Sequence, residues 1–408
     1  MRSKTLLAAS RAILTVILTT GVLGATSKTI HNFGLTNIDG QDPQAGLIFD
    51  NTGNLYGTTY SGGSHGQGAV FEMISNGSGG WTTRILHNFG AGSNDGTVPQ
   101  SDLVFDSNGN IYGTTNAGGT HDVGVVFEMT PNGQGGWTEK VLHNFGNAED
   151  GTRPQAGLII DSNGNLYGTT FGGGTRGDGT AFEVTPNGSG GWTERVLHNF
   201  GTGAHDGVNP SADLIFDAAG NLYGTTVSGG NLNSGTVFEL IPNGSGGWTE
   251  TVLHNFGHAQ DGDSPQGGAL VFDTMGNLYG TTNTGGTNNA GTVFEMSPNG
   301  SGGWTERTLH NFGFGFDGNG PYCGVVFDSN GNLYGTTVEG GNNSVGVVFK
   351  MTPNGDGTWT ETKLHNFGTG NDGAFPQAGV IVDSAGHLYG TAGAGGTQGD
   401  GTVFQVTP

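Results

Sequence analysis

Acidic and imidazole side chains recur through this 408-residue sequence at fixed intervals. A D-G-x-x-P string supplies Asp39, Asp95, Asp150, Asp206, Asp261, Asp317 and Asp372. Seven carboxylates gathered in one ring could hold a hard cation such as Ca²⁺ through oxygen ligands. The same residue could instead cap the backbone N–H groups of its own loop, copy after copy. A residue present in every copy serves every copy, so the turn reading is the simpler. An H-N-F string supplies His31, His87, His143, His198, His254, His310 and His365, spaced by 55 or 56 residues. Spread so evenly, these histidines cannot converge on one ion, and a repeated hydrogen bond to a neighbouring Thr or Asp is expected. Asp50, Asp106, Asp161, Asp217, Asp273, Asp328 and Asp383 precede x-x-G-N or x-x-G-H. Their Gly stands at the fourth place and no Glu follows at the twelfth, which departs from a calcium loop and fits a tight hairpin.

A localised site must break such a pattern. The first apolar run of a copy opens on Gly or Ala in five copies and on Asp in two, at Asp102 and Asp213. Paired carboxylates there could hold a cation or do acid–base work, or simply be solvated. His65 and His121 occupy equivalent loops of adjacent copies. The sixth copy is the most irregular: Phe314 and Phe316 replace small or polar residues, and Tyr322-Cys323 replaces Gln-Ala. Phe375 adds an aromatic in the seventh. Aromatics beside polar loops suit stacking on a sugar or a partner protein, or could plug an opening. No G-x-S-x-G nucleophile elbow in a strand–turn–helix setting, C-x-x-C pair, H-E-x-x-H or G-K-[ST] phosphate loop is present.

The elements that carry these residues follow from the repeat. Besides H-N-F, the string L/I-Y-G-T recurs at Tyr56, Tyr112, Tyr167, Tyr223, Tyr279, Tyr334 and Tyr389. Each copy holds four strand-like runs. In the third they are Ala156–Asp161, Asn165–Thr170, Gly179–Thr185 and Trp192–Phe200. β-branched and aromatic residues concentrate in the runs, and Gly, Asn and Pro separate them. In the last run Val196, His198 and Phe200 are expected on one face and Leu197 and Asn199 on the other, so both faces carry apolar residues. Sheets buried on both faces and repeated radially make an all-β, seven-bladed β-propeller with four-stranded antiparallel blades. The chain opens with a fourth run, Ser27–Phe33, and closes with a third, Gly401–Thr407. The last blade is therefore expected to be closed by the N-terminal strand, leaving no open edge. With the first run innermost, the loops leading into it and the second-to-third loops share one face, here the upper face.

The unit P-x-x-G-L-I-F-D-x-x-G-N-L-Y-G-T-T-x-x-G-G-x-x-x-x-G-T-V-F-E-x-T-P resembles the Gloeo-Verruco (GloVer) tandem repeat of exported bacterial proteins. The resemblance spans all seven copies and implies export and a propeller-like architecture, with no established activity. G-L-I-F-D and G-N-L-Y also resemble the strands of NHL-type propellers, whose first strand is innermost.

The N-terminus reads as a secretory signal peptide over residues 1–25: a basic start, an apolar core and small residues at the end. The apolar run is too short to span a bilayer, so no membrane span is expected in the mature chain, a single domain over residues 26–408. Secretion, or residence in the cell envelope, follows. The sequence carries 12 basic and 34 acidic residues, a net charge of −22, which excludes a basic face for nucleic acid. Cys323 is the only cysteine, so stability outside the cell must come from packing or bound ions. The expected role is that of a monomeric binding or scaffold protein for an extracellular carbohydrate or protein, engaged through the upper face. The alternatives are a purely structural envelope component, or a polysaccharide- or lactone-acting hydrolase or lyase with a cation such as Ca²⁺ at the channel mouth.

Overall fold

Ile159–Ile160, Leu166–Thr170, Thr180–Pro186 and Trp192–Asn199 pair in sequence order as one antiparallel sheet, so the third repeat forms a blade. The computed structural model describes residues 24–147, 149–244, 246–258, 260–313 and 316–408. Most of the expected signal peptide lies outside the described residues. Seven such sheets form a seven-bladed propeller. Thr26–Asn32 pairs with Thr402–Thr407, Thr26 opposite Thr407 and Asn32 opposite Thr402, and so supplies the outermost strand of the seventh blade. No helix among the described residues is long and apolar enough to cross a membrane.

The innermost strands are only two residues long, shorter than the run expected from the sequence. The residues ahead of them give their carbonyls to the preceding blade. Thr58 Oγ1 donates to the Ser101 carbonyl, Thr114 to Ala156, Thr169 to Ala212, Thr281 to Cys323, Thr336 to Ala378 and Thr391 to Ala45. The fifth blade carries one extra residue here, in Gln266-Gly267-Gly268-Ala269. The Thr225 hydroxyl that faces this step in the ring is buried with no partner among the described residues.

Each blade buries its faces against its neighbours. Tyr112, Val126 and Phe145 of the second blade pack with Leu158, Leu166, Phe182 and Val184 of the third. Gly168 recurs in every L/I-Y-G-T string because Phe182 lies across it. A Cβ there would come 2.8 Å from the ring, and the same clash recurs at Gly57 and Gly113. The outermost strand does not alternate as expected. Ala181 pairs with His198 but Phe182 pairs with Val196, so Leu197 is bulged out of the ladder. The bulge turns Leu197 into the interface with the next blade.

A polar network closes each lower hairpin. Asp161 accepts from the backbone N–H groups of Asn163 and Asn165 and from the Asn165 amide. Burial opposes ionisation of Asp161, yet these bonds together hold its carboxyl below the usual carboxylate range. The Tyr167 hydroxyl donates to Glu183 at 2.7 Å, and Arg195 holds the other Glu183 oxygen. Tyr167→Phe is expected to leave buried Glu183 short of a donor and to lower stability by about 1–3 kcal/mol. A denaturant titration of the variant beside the parent checks this, and an unchanged midpoint would remove the network from the stability account.

Candidate functional site at the channel mouth

On the upper face the loop into each blade pairs with the second-to-third loop, as Gly40–Gln41 does with Ser61–Gly62. In the fourth blade this pairing is continuous with the blade itself, through Gly207–Pro210 and Leu222–Gly229. The residue before each blade's Pro takes a left-handed backbone: Asp42, Val98, Arg153, Asn209, Ser264, Gly320 and Phe375 have φ between 55° and 65°. Such a conformation is costly for Val and Phe. It lets the N–H cross to the preceding blade, Val98 to the Gln67 carbonyl and Phe375 to that of Val345.

After the Pro the chain lines the channel. Gln44, Gln100, Gln155, Ser211, Tyr322 and Gln377 rim a cavity of about 290 Å³ whose wall includes Asp102, Asp213 and Cys323. Neighbouring rim groups join across blades. Gln100 Nε2 donates to Gln44 Oε1 at 3.0 Å, Gln266 Nε2 to the Tyr322 hydroxyl at 2.8 Å, and the Gly267 N–H to Ser211 Oγ at 3.2 Å.

Asp102 and Asp213 thus share one cavity. Each leans onto the blade before it: Asp102 Oδ1 accepts the Gly46 N–H and Asp213 Oδ1 the Gly157 N–H, both at 2.5 Å. Glycine is needed beneath them, because a Cβ on Gly46 or Gly157 would lie 2.7 or 2.8 Å from the carboxylate. Burial raises the Asp102 carboxyl above its ordinary range. Burial and then the charge of Asp102 push Asp213 up to about 7. At neutral pH Asp213 therefore lies close to its titration midpoint and can give up or take a proton. Cys323 contributes little nucleophilicity. Burial raises its thiol, and its Sγ lies 3.2 Å from the Thr336 hydroxyl.

The other sequence candidates are dispersed. Tyr322 is in the mouth. Phe375 is 39% exposed on the ring of left-handed residues, and Phe316 is 73% exposed in a loop whose carbonyl accepts from Lys363 of the sixth blade's outermost strand. Phe314 lies outside the described residues. The Asp residues of D-G-x-x-P do not encircle the mouth. Each lies seven or eight residues after its His and closes a compact loop onto it: His143 Nε2 lies 2.8 Å from Asp150, His254 Nε2 2.8 Å from Asp261 and His365 Nε2 2.7 Å from Asp372. Asp39, Asp95, Asp206 and Asp317 face their own histidines at 3.3 to 3.6 Å. His121 turns to the Phe145 carbonyl. The glutamine rim carries little signal in the sequence, because Gln-Ala is the common form of its motif and only departures from that form stand out.

The fold and lined mouth define a seven-bladed β-propeller with a polar, acidic central pocket. The chain belongs to the Gloeobacter/Verrucomicrobia repeat family, which it matches over residues 15–148, 134–321 and 250–408. No curated protein sequence matches it. In fold it is similar to the extracellular domain of a protein described as a hybrid two-component system of B. thetaiotaomicron, with a TM-score of 0.54 at 12% identity over 92% of this chain and 39% of that chain. This chain thus spans well under half of that one. It is also similar to a protein described as a 6-phosphogluconolactonase of Bacteroides uniformis, with a TM-score of 0.50 at 14% identity over 86% of this chain and 90% of the other. At these identities the likeness is one of fold.

Proposed function

We infer that the protein is an exported binding propeller whose channel mouth takes a polyhydroxylated ligand, a monosaccharide or the end of a glycan chain. The observation that carries this reading is the convergence of Asp102 and Asp213, the two breaks in a sevenfold pattern, on one cavity rimmed by glutamines. Carboxylate and primary amide groups are the side chains that exchange paired hydrogen bonds with vicinal hydroxyls. Tyr322 adds an aromatic surface with a polar tip. The cavity volume is at the small end of ligand sites, about 300 Å³ and upward, which suits one or two sugar rings. The fold shared with an extracellular domain agrees with a role outside the cell.

A glycan array followed by calorimetry on the best ligand tests this. Asp102→Asn and Gln100→Ala are each expected to weaken binding tenfold or more, and Phe316→Ala to leave it unchanged. Binding indifferent to the first two changes would overturn the reading. The near-neutral carboxyl beside a second carboxylate favours one further reading, hydrolysis of a sugar lactone or glycoside. Turnover on a substrate panel, lost in Asp213→Asn, would support it.

A further inference from the structure

The outermost strands hold a second set of ionisable groups, remote from the channel. Most begin W-T-E, and the Glu of one blade lies against the His and Asp of the blade before it. Among the described residues, at four interfaces a ring nitrogen and one oxygen from each carboxylate lie within 4.8 Å of one another: His87, Asp95 and Glu139; His143, Asp150 and Glu194; His198, Asp206 and Glu250; His254, Asp261 and Glu306. We propose that these four clusters bind divalent transition-metal ions, Zn²⁺ foremost, and that the ions staple neighbouring blades together.

The first support is an unmet need. Oε1 of Glu139, Glu194 and Glu250 is buried and has no hydrogen-bond partner among the described residues, and a buried carboxylate oxygen is costly to leave so.

The second support is preorganisation. Each Asp spends one oxygen on a backbone N–H, from Ala91, Gly151, Thr202 or Gly262, and leaves the other toward its His. Each His ring is held edge-on against the Phe two residues later, with centroids 4.7 to 4.8 Å apart. Such outer contacts fix the direction of a ligand before the ion arrives.

The third support is chemical. One neutral imidazole and two carboxylates neutralise a divalent ion and leave a fourth place for water. The imidazole favours Zn²⁺ and its transition-metal neighbours over Ca²⁺, which prefers oxygen alone.

The molecule also contains its own control. Where the N-terminal strand joins the ring, the Glu is absent. Thr83 takes its place opposite His31 and bonds to His31 Nδ1 at 3.0 Å. Ser27 takes it, four residues before His31, at the interface that carries Asp372. Neither of these two interfaces offers a third carboxylate to an ion.

The test uses the untagged chain freed of metal by chelation. Titration with Zn²⁺ alone, read by calorimetry and by elemental analysis after gel filtration, is expected to give at least four ions per chain and a higher thermal midpoint. Glu139→Gln, Glu194→Gln, Glu250→Gln and Glu306→Gln, close in shape to the parent, should each remove one equivalent. Thr83→Glu should add one. Co²⁺ should report mixed nitrogen and oxygen ligation in its visible spectrum. No retained ion at micromolar Zn²⁺, or a stoichiometry unmoved by all four Gln variants, would overturn the proposal.

Discussion

Replacing Asp213 by Asn is expected to give a more stable protein that has lost its ligand. The folded carboxyl titrates at about 7 against an ordinary value of 3.8, so the folded chain binds the proton more tightly than the unfolded one. Between these values the folded state carries more protons, and stability must fall as pH rises from about 4 to about 7. Below the lower value both states are protonated and the cost vanishes. Above the upper value it is complete, with a ceiling of about 4 kcal/mol from the size of the shift. The Asp213 side chain is only partly buried, so a cost of about half that is expected. Asn keeps an oxygen for the Gly157 N–H and carries no charge to titrate. Thermal midpoints of parent and variant should coincide near pH 4 and separate by a few degrees by pH 7.5. A gap that is constant with pH would show that the carboxylate is not under strain. Asp102 contributes to the elevation of Asp213, so the double variant should gain less than the sum of the gains from Asp102→Asn and Asp213→Asn. A pair of acids that costs stability where glycine or alanine stands in the other blades is what the ligand site proposed for the mouth requires.

Much of the architecture was legible before any coordinates. The spacing of His31, His87 and their successors, with Tyr56 and its successors, set the number of blades, and Ser27–Phe33 opposite Gly401–Thr407 set the closure. The hairpin role of Asp161 followed from the glycine and asparagine behind it, and the His–Asp bonds from the need of half-buried polar groups for partners. What was not legible lies between copies. The Glu139 carboxylate meets His87 and Asp95 only because blades stack, and no local pattern announces a contact reaching some fifty residues back. The bulge at Leu197 was hidden because an alternating string looks the same whether or not one residue is skipped. The pairing of Asp102 with Gly46, and of Asp213 with Gly157, was visible as an irregularity but not as a coupling. Only the distance from the missing Cβ to the carboxylate shows that one residue permits the other. The aromatic cluster assembled from sequence dispersed for the converse reason: Phe316 and Tyr322 are six residues apart, yet they stand at the rim and at the axis of one blade.

Removing residues 24–33 is expected to abolish cooperative folding of the monomer. The strand they form gives six backbone pairings to Thr402–Thr407. It seats Phe33, which is fully buried, against Phe71 with centroids 5.2 Å apart. It donates Lys28 Nζ to the Gly79 carbonyl of the first blade, and Asn32 Oδ1 accepts the Thr397 N–H. Burial of one Phe is worth about 1.5–3 kcal/mol. The larger loss is topological. Without the strand the seventh blade ends on an open edge, and its seam with the first blade loses Ile30 and Phe33 and rests on Tyr389 and Val403, so the closure of the ring is weakened where it joins. The truncated chain should melt broadly and associate with increasing concentration, read by calorimetry and light scattering. A circular permutant separates loss of the strand from loss of chain order. Because Thr26 lies opposite Thr407, joining Pro408 to Ala25 through Asn-Gly-Ser-Gly-Gly rebuilds the turn that the third blade uses from Asn187 to Gly191. New termini can open in the exposed turn at Gly300-Ser301. This permutant should keep the parent's thermal midpoint within a few degrees, while the truncated chain does not. If the two behave alike, the closure is incidental and the blades are stable as a stack. If only the permutant folds, the N-terminal strand is what turns seven repeats into one cooperative unit.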